Sequence, residues 1–124
     1  MTYKLLSENA DISGTSLQEF VDDVSLNELS NVLGQPIWHP DYNPHCQEEK
    51  ILVEWVFSFG GRTMTLYLWK WYRMPGVNDR VRWNLGGKPD DYSQRQSFML
   101  WLERKIIAER TTAKVSANEY PLGI

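Results

Sequence analysis

The sequence predicts an α+β domain: a small antiparallel sheet built on a β-hairpin at about residues 50–72, with one short and one long helix packed on it. Three observations carry this prediction. Ile51, Val53, Trp55, Phe57 and Phe59 alternate with Leu52, Glu54, Val56 and Ser58, the two-residue period of a strand, and run into Gly60-Gly61. Ser25-Leu26-Asn27-Glu28 has the form of a capping box ahead of an apolar repeat. Beyond Pro89, the residues Phe98, Met99, Leu102 and Ile106 recur at helical spacing, with Trp101 beside them. A chain of 124 residues has room for one core, so residues 1–124 are read as a single domain.

Taken in order, Ser13-Gly14-Thr15-Ser16 reads as a turn, and residues 17–21 as a short strand. At the short helix, the Ser25 hydroxyl and the Glu28 carboxylate can satisfy each other's backbone N–H groups. Leu26, Leu29, Val32 and Leu33 then form its apolar stripe. Gly34 stops it in a left-handed conformation, with Pro36 just beyond. Residues 35–49 read as a long loop, because Pro36, Pro40 and Pro44 each remove a backbone donor.

A two-residue Gly60-Gly61 turn fixes the hairpin register. It pairs Phe57 with Met64, Trp55 with Leu66 and Val53 with Leu68 on the core face. The other face carries Glu54, Val56, Thr63, Thr65, Tyr67, Trp69 and Trp71, and its aromatic content calls for a cover, either the second helix or another subunit. Residues 80–85 form a third strand, with Val81, Trp83 and Leu85 on one side, Arg82 and Asn84 on the other, and Gly86-Gly87 ending it. Pro89 or Asp90 opens the long helix, which is expected to reach about Arg110, with a short polar tail after Thr112.

The totals narrow the function classes. Cys46 is alone, which excludes an intrachain disulfide and suits a reducing compartment. The first residues lack an apolar stretch of signal-peptide length, and nowhere do eighteen apolar residues run together. The expectation is therefore a cytoplasmic protein with no membrane span. Six Trp and six Tyr favour an oligomer or a stacked ligand. The net charge of −3 hides a division. Residues 1–54 hold two lysines against ten acids, whereas residues 55–88 hold six bases against Asp79 alone. Such a split predicts a polarised surface, able to gather an anion or to dock a second copy. Long DNA or RNA is a poor partner for an acidic chain, because duplex affinity rests on many cationic contacts.

No catalytic, metal or cofactor apparatus stands out. His39, Asp41, His45 and Cys46 fit no common zinc spacing. Gly86-Gly87-Lys88-Pro89 lacks both the first glycine and the Ser or Thr of a phosphate loop, and reads as a turn between strand and helix. Glu54 stands opposite Tyr67 and reads as its partner, or an arginine's, rather than as a lone catalytic acid. The better binding candidates are Arg110, Thr111 and Lys114 at the end of the second helix, where guanidinium and hydroxyl groups could meet a phosphate. Trp83 could stack a base, with Arg82 beside it and Asn84 able to read a base edge. Together these suit a nucleotide-like ligand.

Several segments resemble a group of small phage and prophage proteins. They are Gly14-Thr15-Ser16-Leu17-Gln18, Leu33-Gly34-Gln35-Pro36, Glu54-Trp55-Val56-Phe57, Thr65-Leu66-Tyr67-Leu68-Trp69-Lys70 and Trp83-Asn84-Leu85-Gly86-Gly87, in that order over residues 14–87. The set is similar to the first Thoeris anti-defence family of phage sponge proteins. That resemblance implies an oligomer that sequesters a signalling nucleotide, a cyclic ADP-ribose isomer or a small cyclic oligonucleotide, without cleaving it. It also implies an aromatic contact at Trp83 and a phosphate contact at Arg110-Thr111. This chain departs from the family in having Asn84 and Leu85 where a histidine and an isoleucine follow the tryptophan, and in having Glu19 in place of a glycine. The competing expectation is a phage inhibitor that binds a host defence protein directly, in the manner of an anti-CRISPR. A phosphodiesterase is disfavoured for want of an acid–base or metal constellation.

Overall fold

The structure, a computed structural model, describes residues 1–39, 51–69 and 75–119. The α+β class holds. Among the described residues, six strands form one antiparallel sheet with two α-helices: β1 Tyr3–Leu5, β2 Ser16–Ser25, α1 Leu26–Leu33, β3 Ile37–Trp38, β4 Ile51–Phe59, β5 Arg62–Trp69, β6 Arg80–Gly87 and α2 Tyr92–Glu119. The strand order is β1-β4-β5-β6-β2, with β3 also pairing β4, so β2 forms one edge of the sheet.

The hairpin is the frame, and its register is the one that the glycine turn dictates. Val53 faces Leu68, Trp55 faces Leu66 and Phe57 faces Met64. Gly60 and Gly61 have φ of 59° and 79°, the positive values that a two-residue primed turn needs. β6 continues the sheet beside β5, and β2 returns beside β6.

Both helices pack on the face that carries Trp55, Phe57, Met64, Leu66, Trp83 and Leu85. They contribute Leu26, Leu29 and Leu33 from α1, and Phe98, Leu102 and Ile106 from α2. Phe98 lies against Phe57 with ring centroids 4.5 Å apart. The second helix is thus not the cover of the opposite face, although Val56, Thr65 and Tyr67 are buried there too.

Four sequence expectations need correction. The strand read over 17–21 runs from Ser16 to the helix cap at Ser25, and it is irregular. Its register shifts between Leu17 and Glu19 and again between Val21 and Val24, and Asp23 has φ 62°. Each shift inserts an extra residue, which breaks the two-residue alternation that a sequence reading relies on. β1 was not expected. It pairs with β4, and the Tyr3 hydroxyl donates to the Leu33 carbonyl at 2.7 Å. Part of the expected 35–49 loop is strand, since Ile37 and Trp38 pair with Glu54 and Val53; residues 40–49 lie outside the described residues. Finally, α2 does not stop near Arg110 but continues to Glu119, because no proline or glycine interrupts it before Pro121.

The strand-to-helix junction explains the next glycine pair. Gly86 and Gly87 are the last two residues of β6, which therefore runs two residues beyond the expected 80–85 before the chain turns. A Cβ on Gly87 would sit 2.6 Å from the Asp91 carboxylate, which accepts a hydrogen bond from the Lys88 backbone N–H at 2.8 Å and pairs with Arg95. Asp91 and Arg95 are buried, so this ion pair fixes how α2 leaves the sheet. Among the described residues, no helix is long and apolar enough to cross a membrane.

Candidate functional site

Trp83 sits on the core face of β6 and is fully buried. Its indole N–H donates to the Val24 carbonyl at 2.8 Å, and its ring meets the edge of Trp55 at 5.4 Å. The expected stacking platform is therefore a core residue, with no ring face open to a ligand. Arg82 and Asn84, one position to either side, project from the opposite face of the sheet. Arg82 donates from Nε to Asp22 at 2.5 Å, and its guanidinium lies 4.7 Å from the Phe20 ring centre. Asn84 is half-buried, in register between Phe20 on β2 and Tyr67 on β5.

Arg110 lies on the helix side of the sheet, so the six expected binding residues do not converge on one cavity. Thr111 is exposed, and its hydroxyl donates back to the Ile107 carbonyl at 2.9 Å. The side chain of Lys114 lies outside the described residues.

Arg110 is nevertheless the centre of a developed polar cluster among the described residues. Its Nε donates to one Glu28 carboxylate oxygen at 2.5 Å, and its Nη2 to the other at 3.2 Å. Nη2 also donates to the Asp23 carbonyl at 2.7 Å, at the left-handed residue of β2. Arg80 approaches the same carboxylate at 3.5 Å. Glu28 meanwhile completes the capping box: the Ser25 N–H donates to it, and its own N–H donates to the Ser25 hydroxyl, each at 3.1 Å. One carboxylate thus ties β2, β6, α1 and α2 together. The Arg110 hydrogen bond is the main reason its pKa falls from the ordinary 4.5 to about 2. The same contact raises the Arg110 guanidinium above its usual value.

Two hollows flank this cluster. One is polar, about 330 Å³, and lined by Ser25, Asn27, Asn31, Asn78, Arg80 and Arg110, with Glu28 and Glu109 also on its wall. Asn31 donates to Glu109 at 2.8 Å, and Asn27 to Asn78 at 3.3 Å. The other is a groove of about 710 Å³ between β2 and α2. Val21, Val24, Met99, Leu102 and Ile106 supply its apolar lining, and Phe20, Leu100 and Ile107 stand exposed along it.

Sequence reasoning found Arg110 but missed Arg80, the three asparagines and the second task of Glu28. The capping box was the available signal: once Glu28 is placed at a helix start, its free carboxylate oxygen can take an arginine from a neighbouring element. The remaining candidates resolve locally. His39 Nε2 contacts the Glu54 carboxylate at 3.0 Å, and Glu54 is in register with Tyr67. Asp41, His45 and Cys46 lie outside the described residues. At the Gly86-Gly87-Lys88-Pro89 turn, the Asp91 carboxylate occupies the backbone donor that a phosphate would need. Compared with protein-family models, with curated proteins and with solved structures, this chain finds no match.

Proposed function

We propose that this protein sequesters a small nucleotide-type signal, a cyclic ADP-ribose isomer or a cyclic oligonucleotide, by binding it without cleavage as a phage anti-defence protein. The observation that carries the reading is the polar hollow, where two guanidinium groups, Arg80 and Arg110, share the single carboxylate Glu28 beside a set of asparagine amides. With Glu109 on the same wall the hollow holds two cations and two carboxylates, so what it offers a phosphate is guanidinium and amide N–H donors rather than surplus charge, and the asparagine amides suit ribose oxygens as well. The ordered segments between residues 14 and 87 that resemble the first Thoeris anti-defence family point to the same ligand class. With Trp83 in the core, the base contact falls to another group. In this reading the chain works as a homo-oligomer in the host cytoplasm, and a second copy supplies the ring.

Isothermal titration with cyclic ADP-ribose isomers and cyclic oligonucleotides tests it. Binding is expected to weaken about 10- to 100-fold in Arg80→Ala and Arg110→Ala, the range set by charge-assisted hydrogen bonds. Ligand recovered after denaturing the complex should be intact. No heat with any of these ligands at micromolar protein refutes the reading. One observation favours a second reading, direct inhibition of a host defence protein: the apolar groove between β2 and α2, with three large side chains exposed along it.

A further inference from the structure

We infer that the face of the sheet turned away from the helices carries a second ligand site, in which Phe20 stacks an adenine-type base and the Asn84 carboxamide reads its amino edge. It goes beyond the polar hollow described above, since neither residue lines that hollow.

The site follows from the alternation of β6. Val81, Trp83 and Leu85 point toward the helices, so Arg82 and Asn84 stand on the other face. Phe20, at the edge of the sheet, is in register with Asn84, and the Arg82 guanidinium lies 4.7 Å from its ring centre. The ring therefore belongs to that same face. Phe20 is 44% exposed even with this cation beside it, so a flat group has room to lie against the ring. One strand further in, Tyr67 is in register with Asn84 and buried. Asn84 is thus a half-buried amide between two aromatic residues, on strands about 4.8 Å apart. The ring that Arg82 and Asn84 accompany is Phe20 and not Trp83.

Hydrogen bonding selects a base over a plain ring. Among the described residues, the Asn84 carboxamide makes no hydrogen bond, whereas its neighbours Arg82 and Glu54 are held by Asp22 and His39. Half-buried amides are ordinarily paired, so this one is available to a ligand. A carboxamide sets an acceptor beside a donor, the complement of the N6 amino group and N7 of adenine. Guanine presents two acceptors along that edge and leaves the carboxamide oxygen unmatched.

Charge selects a nucleoside over a phosphate. Arg82 shares its charge with Asp22, so the cation beside the ring is already neutralised. Two residues further along β6, Arg80 turns to Glu28, and beyond Tyr67 the row ends in the Glu54 carboxylate. Nothing in this set gathers an anion, and a neutral base loses little by meeting it.

The test titrates the whole protein with adenosine and guanosine, which carry no phosphate, followed by saturation-transfer difference NMR. Adenosine is expected to bind at about millimolar strength or tighter, and about tenfold more tightly than guanosine. Phe20→Ala should weaken it about tenfold, while Phe20→Trp, which keeps a ring, retains it. Asn84→Asp should abolish the preference, because a carboxylate has no donor for N7. Arg110→Ala should leave adenosine binding unchanged, which separates this site from the hollow. An absent adenosine signal, equal binding of the two nucleosides, or binding unmoved by Phe20→Ala overturns the inference, whatever cyclic nucleotides do at the hollow. Loss of adenosine binding in Arg110→Ala assigns the base to the hollow and overturns it as well.

Discussion

Glu28 accepts hydrogen bonds from the Ser25 backbone and from Arg110 on α2, with Arg80 close by, so its carboxylate is worth more to the fold than a helix cap alone. Because these donors hold its pKa near 2 against an ordinary 4.5, the native state binds this proton less readily than the unfolded chain. The stabilisation is therefore fully present above about pH 4.5 and is lost as the pH falls toward 2. Glu28→Gln keeps the capping geometry, since glutamine also serves at that helix position, and removes only the charge. The variant is expected to lose about 1–2 kcal/mol at neutral pH by urea denaturation. The gap to the parent protein should narrow as the pH drops from 4.5 toward 2, and a gap that is constant with pH would show that the charge is idle. Trp83 marks what a residue-level reading misses. The alternation placed it correctly with Val81 and Leu85, but which side of β6 is the core depends on where β2 and the helices lie. An isolated strand does not encode that.

Elements defined by their own local chemistry were legible. The hairpin register follows from a two-residue glycine turn, and α1 from a capping box and a glycine stop at φ 99°. Elements defined by distant partners were not: β2 is bulged, β1 and β3 are three and two residues long, and each owes its existence to the strand it pairs with. Gly86-Gly87 falls between these cases, since a glycine pair signals either a turn or a close approach. Here the close approach wins, because Asp91 packs against Gly87 where a side chain would stand. Gly87→Ala is therefore expected to displace Asp91 from Arg95 and the Lys88 N–H, at a cost of about 3 kcal/mol, the order expected when a buried ion pair is broken. Gly61→Ala, whose Cβ meets nothing within 4 Å, should cost only the positive φ, about 1 kcal/mol. Chemical denaturation of the two variants checks the difference, and equal losses would make Gly87 an ordinary strand residue.

At the scale of the whole molecule, the acidic first half and the basic middle do not form opposite poles. β2 and α1 carry four of the first half's ten acids, Glu19, Asp22, Asp23 and Glu28, β6 carries Arg80 and Arg82, and the sheet order places β2 against β6. Arg82 meets Asp22, and Arg80 meets Glu28, while Arg62 is taken by Asp90. Among the described residues, two acids of the first half are thus paired with two bases of the middle inside the chain, where they line up the sheet edge and the first helix. An association of copies driven by those charges would have to break intrachain contacts of equal kind, so it gains little. The oligomer expected from the aromatic content must instead rest on apolar contact. Light scattering is accordingly expected to give a multiple of 14.5 kDa that persists from low to high salt, because apolar association is not screened by ions. A mass that falls to 14.5 kDa as salt is raised would restore the electrostatic mode, and a monomer in all conditions would remove the second copy from the nucleotide site.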